Sequence, residues 1–408
     1  MPIDPRLSGL FAADDSGALL IGGERADVLA DRLGTPCFVY DRAIVDAKIA
    51  ELRAAMPERL HLHYAVKANP YAPLLAHIAG QVDGLDIASA GELTMALESG
   101  MAADRISFAG PGKGDDELAA AIDAGVTLNL ESEGEMRRAL AIAAGQGKAL
   151  RAAVRVNPPF DLKGSGMKMG GGAKPFGVDV ERVPAMVAAL VEAGADFRGY
   201  HVFAGSQNLD ADALIEAQAA SLALIARLTA ETGVVPPSAN IGGGFGVPYF
   251  PGDEALDLEP IGDALAARMA ELPAALSDTR FILELGRFIA AECGVYLTRV
   301  IDRKVSEGQT FLICDGGLHH QLAASGNFGT VIRRNYPVAA AKAFDGEAAE
   351  TVNVVGRLCT PLDKLGDKVK LPRAEEGDVI VVYMAGAYGR TASPEAFLGH
   401  PAAAEAVV

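Results

Sequence analysis

Eight short apolar runs, separated by alanine-rich segments of helical period, occupy residues 37 to 287, and few folds accommodate such an alternation. The runs are "LHYAVK" ending at Lys67, "GLDIAS" at Ser89, "ISFAGP" at Pro111, "TLNLES" at Ser132, "AAVRVN" at Asn157, "FRGYHVFAGS" at Ser206, "SANIGGGF" at Phe245 and "FILELGR" at Arg287. Intervening stretches such as "AGELTMALESG" and "DDELAAAIDAG" place apolar residues at helical spacing and close on glycine, as capped helices do. Eight strands and seven crossovers in about 250 residues predict an α/β chain built on a (β/α)8 barrel.

After Arg287 the pattern changes to runs rich in Val, Ile and Tyr, among them "CGVYLTRVIDRKV", "TFLICDGG", "TVNVVGRLC" and "DVIVVYMAGAY". Punctuated by Gly, Asp and Pro, they predict a mainly antiparallel β domain. The expected organisation is a cofactor-binding barrel over 37–287, with 1–36 joining 288–408 in the β domain.

Composition narrows the function. A formal charge of −17 without a Lys/Arg cluster argues against nucleic acid and against an anionic membrane surface as partners. The N-terminus carries acids and prolines where a signal peptide needs a basic and then an apolar region. Cys37, Cys293, Cys314 and Cys359 are scattered, with no CxxC pair, so a reducing cytoplasm is the expected location. His61/His63 and His319/His320 are the only close histidine groupings, no HExxH spacing occurs, and no metal site is expected.

In barrels of this class the active site is built at the carboxyl ends of the strands, whereas the opposite face serves stability. Polar residues collect at the expected carboxyl ends. They are Lys67 after strand one, Asp86 and then Glu92 after strand two, and Arg155 and Asn157 closing strand five. His201 and Ser206 lie on strand six, Gly242, Gly243 and Gly244 follow strand seven, and Glu284 with Arg287 closes strand eight. A lone lysine at a strand end is ordinarily a solvated charge; convergence of so many polar groups on one rim argues for a site.

The residue types indicate the chemistry. A glycine run lets backbone N–H groups approach a phosphate, and the loops after strands seven and eight are where barrels commonly bind one. A shielded lysine can lose its proton and form a Schiff base with an aldehyde. A carboxylate such as Glu284 can keep a pyridine nitrogen protonated, and an imidazole such as His201 can pack flat against such a ring. Phosphate, aldehyde and pyridine together specify pyridoxal 5′-phosphate. The alternative reading of "GGGFG", a dinucleotide fingerprint, fails on spacing and on its position after six strands. The glycine-rich segment "GSGMKMGGGAKPFG", residues 164–177, reads as a flexible lid, with a second phosphate contact as the alternative.

On these residues the sequence resembles the fold-type-III pyridoxal-phosphate decarboxylases of diaminopimelate, ornithine and arginine, whose fold is alanine racemase-like. "YAVKANP", "GLDIASAGEL", "RVNP", "HVFAGSQ", "NIGGGFG" and "ELGR" come in that family's order, and "CDGGLHH", "GRLCTPLD" and "AGAYG" continue it through the β domain. "FAGSQNLDADALIEAQ", "GNFGTVIRRNYPV" and "CTPLD" are similar in particular to the exosortase A system-associated pyridoxal-dependent decarboxylases. The resemblance implies that Lys67 carries the cofactor, His201 stacks on its ring and Glu284 pairs with the pyridine nitrogen. It places Asp86, Arg155 and Gly286 in the cofactor site, and Gly242 to Gly244, Ser206, Arg287 and Tyr388 at or beside the phosphate. It also implies an obligate head-to-tail homodimer, in which Cys359 enters the partner's active site and Cys359 or Lys67 returns a proton to Cα. Racemases of this fold use two opposed bases; the cysteine loop, with no tyrosine evidently opposed to Lys67, favours removal of an α-carboxylate.

The sequence departs from its relatives beside that cysteine. In the ornithine and diaminopimelate enzymes the next residue is acidic and meets the distal amine of the substrate, whereas here it is Thr360. Asp363 could substitute only if the loop bends. Arg333, Arg334 and Tyr336 stand where relatives contact the outer end of the substrate, and two arginines suit an anion. Three readings remain open: a decarboxylase of an amino acid tethered to a carrier protein or otherwise conjugated, a decarboxylase of free meso-diaminopimelate, and a racemase or non-catalytic cofactor-binding homologue.

Overall fold

The computed structural model describes residues 5–326 and 334–408. Contacts divide the chain into two units, one of residues 48–247 and 255–288, the other of residues up to 47, 248–254 and 289–408.

The first unit is a closed parallel barrel of β1 (Leu60–Ala65), β2 (Gly84–Ile87), β3 (Ile106–Phe108), β4 (Thr127–Leu130), β5 (Arg151–Asn157), β6 (Asp196–Val202), β7 (Ser238–Gly243) and β8 (Arg280–Leu285). Each strand pairs with the next, and β8 returns to β1 with Glu284 opposite His63. The crossovers are α1 (Ala72–Ala79), α2 (Ala90–Glu98), α3 (Asp115–Ala124), α4 (Glu133–Gln146), α5 (Val183–Glu192), α6 (Ala211–Thr232) and α7 (Glu259–Ala270). Their ends follow local chemistry. Ser89 and Ser132 cap α2 and α4 by accepting from the backbone N–H groups of Glu92 and Glu135, and Gly125 and Gly147 end α3 and α4 in left-handed conformations. Helix α6 is long and apolar enough to cross a membrane by composition; here it packs on β7 and α7 and buries Leu214, Leu222, Ile225 and Leu228.

Two strand ends differ from the sequence expectation. The first strand stops at Ala65, and Lys67 occupies a single 3-10 turn, Val66–Ala68. Tyr64 donates its hydroxyl to the Asn69 carbonyl and Asn69 Oδ1 accepts from Tyr71 N–H, which turns the chain toward α1. The sixth strand stops at Val202, and Ser206 lies instead in a short antiparallel pair with Met167.

In the second unit, the strand Gly294–Ser306 pairs antiparallel with Cys37–Tyr40, Gln309–Cys314 and Val379–Val382. Glu350–Val355 runs parallel to Gln309–Cys314 and antiparallel to Lys364–Leu371, while Ala404–Val407 runs parallel to Cys37–Tyr40. The sheet is therefore mixed, with antiparallel pairs in the majority. The boundary expected at residue 37 runs through a strand of this sheet, because Cys37, Phe38, Val39 and Tyr40 are all buried against Gly294–Leu297 rather than in the barrel.

Candidate active site

A cavity of about 240 Å³ opens at the carboxyl ends of the barrel strands, lined by Lys67, Asp86, Arg155, His201 and Glu284 with Phe176 and Phe203 among its walls. The strands supply these groups in register. Asp86 stands opposite Ala65, Arg155 opposite His201, His201 opposite Asn240, and Gly243 opposite Glu284. Lys67 is exposed, whereas the other four polar groups are buried.

Glu284 and His201 are joined directly. His201 Nε2 lies 2.9 Å from Glu284 Oε2, and Asn240 Nδ2 donates to the same oxygen at 3.3 Å. Burial would raise the Glu284 carboxyl, but the His201 hydrogen bond and the charges of His201, Lys67 and Arg155 outweigh it and hold the group ionised, below the usual carboxylate range. Both bonds fall on Oε2. Asn240 also accepts from Gly242 N–H at 2.8 Å, so the glycine turn and the carboxylate share one anchor.

Asp86 forms a second cluster. His63 Nδ1 lies 3.2 Å from Asp86 Oδ1, which also accepts from the Ser107 hydroxyl, and Ser107 accepts from Asn129 Nδ2. Asp86 Oδ2 is buried with no hydrogen-bond partner among the described residues, and so is His201 Nδ1. Orphaned buried polar atoms facing a cavity mark positions that a ligand satisfies. Glu92 caps its own helix by accepting from Ala88 N–H; burial raises its carboxyl, offset in part by that N–H and by the Lys67 charge.

Arg155 belongs to a buried charge chain that the sequence reading missed. Its Nη1 donates to Glu131 Oε1 at 2.8 Å; Glu131 also accepts from the backbone N–H groups of Gly110 and Gly177. Burial pushes Glu131 up, yet Arg155 and Lys113 together bring it below its ordinary value. Lys113 donates to Glu135 Oε1 at 2.6 Å and to the carbonyls of Gly110 and Asn129, and Glu135 Oε2 accepts from Glu131 N–H. The only sequence signal for Glu131 and Glu135 is the acidic start of a helix, which also reads as an ordinary cap.

The glycine-rich segment is tied down at several points, contrary to a freely moving lid. Met167 and Lys168 pair with Ser206 and Gly205, Phe176 packs 5.0 Å from the Arg155 guanidinium, and Asn157 donates to the Gly172 carbonyl. Gly242 and Gly244 adopt left-handed backbone at φ 79° and 87°, and a Cβ at Gly243 would lie 2.0 Å from the Glu284 carbonyl oxygen. Close strand approach is thus one reason for the glycine run, independent of any phosphate. Gly286 is equally confined, with Ala68 and Ala65 within 3.2 Å of its missing Cβ, and Arg287 opens the helical turn after β8, half-buried.

The remaining candidates lie in the other unit. Cys359 is exposed, whereas Cys37, Cys293 and Cys314 are buried and burial raises each thiol, Cys37 to about 12. Thr360 is half-buried. Asp363 requires a correction: it is 2 % exposed, and its two oxygens accept from Leu318 N–H at 2.7 Å and Leu358 N–H at 2.8 Å. Its carboxylate braces the loop and is spent there, so it does not stand in for the acid missing at 360. Arg334 pairs with Asp253 at 3.0 Å above the Phe250 ring, and Tyr336 is buried against Tyr249 and Phe250. Both candidate substrate contacts are therefore already engaged with their neighbours, and Arg333 lies outside the described residues. Tyr388 is half-buried with left-handed backbone, φ 53°.

These residues suit pyridoxal phosphate. Lys67 lines the cavity, Glu284 is held ionised, and the orphaned Asp86 Oδ2 and His201 Nδ1 lack partners that a bound group would provide.

Known proteins agree. The model of the pyridoxal-dependent decarboxylase pyridoxal-binding domain matches residues 42–291. The chain is 36% identical over 379 residues to an L-glutamyl-[BtrI acyl-carrier protein] decarboxylase of Niallia circulans, covering 91% of this chain and 88% of that protein. It is 31% identical to a diaminopimelate decarboxylase of Methanothermobacter thermautotrophicus, covering 97% and 91%. The crystal structure of diaminopimelate decarboxylase from Helicobacter pylori complexed with L-lysine superposes with a TM-score of 0.83 at 27% identity, over 94% of this chain and 93% of that one.

Proposed function

Since this chain belongs to the pyridoxal-dependent decarboxylases, and is a pyridoxal-phosphate enzyme removing a carboxylate from an amino acid or amino-acid conjugate, we propose that its substrate is a conjugate carried on a larger group. Thr360 carries this reading. A charge-assisted hydrogen bond is worth about 1.5–3 kcal/mol, roughly one to two decades in selectivity, and Thr360 offers a distal ammonium a neutral hydroxyl oxygen without a carboxylate's countercharge. Asp363 is spent on backbone. The carrier-protein substrate in the name of the Niallia relative supports the same reading.

The bound cofactor supplies an electron sink for the pair left at Cα when CO2 departs. Lys67, in the turn after β1, would hold it covalently, and its amine is placed to act as a base. Glu284, ionised and fixed by His201 and Asn240, would keep the ring nitrogen protonated. His201 would lie against the ring, and Asp86, Arg155, Ser206, Gly242 to Gly244, Gly286 and Arg287 would complete the cradle, with the barrel unit as the cofactor-binding domain. Phe176 and Phe203, in the cavity wall, would exclude water around the reacting carbon. We further propose a cytoplasmic head-to-tail homodimer in which Cys359 of the partner subunit returns the proton to Cα.

The test is CO2 release from free meso-diaminopimelate, free L-glutamate and L-glutamyl thioesters of a carrier protein. Turnover confined to the thioester is expected. Robust turnover of free meso-diaminopimelate would overturn the conjugate reading.

A further inference from the structure

Next to Thr360 the second unit carries a groove of about 460 Å³, within the range of ligand sites. Its floor is one face of two adjacent strands: Phe311 and Ile313, with Val355 opposite Ile313. Lys304, opposite Phe311, and Lys364, opposite Val355, flank this floor, and Arg357 stands at the end nearer the cysteine loop. Thr360 and Pro361 form that end, beside the exposed Cys359. Ser306 adds a hydroxyl.

Three cations around an apolar floor are unusual on a chain of net charge −17. Nearby acids offset them only in part. Asp363 is bound to backbone N–H groups, and Asp367 pairs with Lys364 at 3.0 Å while both remain more than a third exposed. Lys304 and Arg357 are exposed. Such a groove matches a ligand with an anionic phosphodiester at one end and an extended body that sets an apolar branch on the floor and hydrogen-bonding groups toward Ser306 and solvent, entered from the surface and ending at the cysteine loop.

We propose that this groove seats the phosphopantetheine arm of an aminoacyl carrier protein, with the phosphate at Lys304 and the thioester end directed across the floor past Thr360. The inference rests on the conjugate reading above. It adds where the conjugate binds and what part of it is recognised.

Binding of 4′-phosphopantetheine and of pantetheine to the purified holoenzyme, by titration calorimetry, separates the two. The wild type should bind the phosphorylated arm about tenfold more tightly, the worth of one charge-assisted contact. Lys304→Glu should abolish that preference, leave pantetheine binding unchanged and leave the dimer intact. Lys370→Glu, on the same strand as Lys364 but outside the groove, should change nothing. A preference that survives in the groove variant would overturn the groove and leave the conjugate reading standing. No preference in the wild type, together with turnover of free amino acids, would overturn both. Dissociation of the dimer by Lys304→Glu would instead make this face an interface between copies and overturn the proposal.

Discussion

His201 Nε2 and Glu284 Oε2 are 2.9 Å apart across β6 and β8, with Asn240 of the intervening β7 bonded to the same oxygen. Three neighbouring strands thus fix one carboxylate, and the glycine turn after β7 is anchored to it through Asn240.

The arrangement has a pH signature. Glu284 has a folded-state pKa below its ordinary 4.5, so its contribution to stability is present above that value and is lost as pH falls toward the folded pKa. Denaturation midpoints at pH 7 and pH 4 should therefore fall further for the wild type than for Glu284→Gln. Parallel declines would show that the carboxylate is not stabilised as the geometry indicates.

Lys113 and Glu135 form a buried ion pair at 2.6 Å, with side chains 1% and 3% exposed. Removing one partner strands a charge and costs about 3–5 kcal/mol. Lys113→Met should lose that much in urea denaturation, and adding Glu135→Gln should recover a substantial part. Strict additivity of the two changes would contradict the coupling.

Much of this was legible in sequence, for physical reasons. The barrel followed from eight strand runs with glycine-capped helices, and Lys67, Asp86, Arg155, His201 and Glu284 meet in one cavity because each lies near or just beyond the carboxyl end of a strand on the same rim. The charge chain Lys113–Glu135–Glu131–Arg155 was invisible, since an acid just before a helix or in its first turn looks like part of a cap and only burial distinguishes Glu131 and Glu135. Asp363 was misread because sequence does not reveal whether a loop carboxylate faces solvent or its own backbone. The bounds 37–287 grouped Cys37–Tyr40 with the barrel although no barrel strand was read there; its pairing with Gly294–Leu297 belongs to the sheet.

Gly243 has no room for a side chain, its Cβ being 2.0 Å from the Glu284 carbonyl oxygen. Gly243→Ala should destabilise the fold by about 3 kcal/mol or more and weaken cofactor retention, seen in thermal melts with and without pyridoxal phosphate. A fully stable variant would mean that the strands can separate there.

The four cysteines should differ in reactivity. Thiol labelling of the native protein should modify Cys359 rapidly and leave Cys37, Cys293 and Cys314 intact until unfolding, because burial keeps those three protonated. Cys359→Ala should remove the fast phase, retain the bound cofactor's absorbance and lower turnover by at least about tenfold.

The most direct test of the site is borohydride reduction of the holoenzyme followed by peptide mapping. The account predicts the reduced cofactor on Lys67 alone, and Lys67→Ala should lose both the visible absorbance of the lysine-bound cofactor and CO2 release. A label on another lysine, or a Lys67→Ala protein with normal absorbance and turnover, would contradict it.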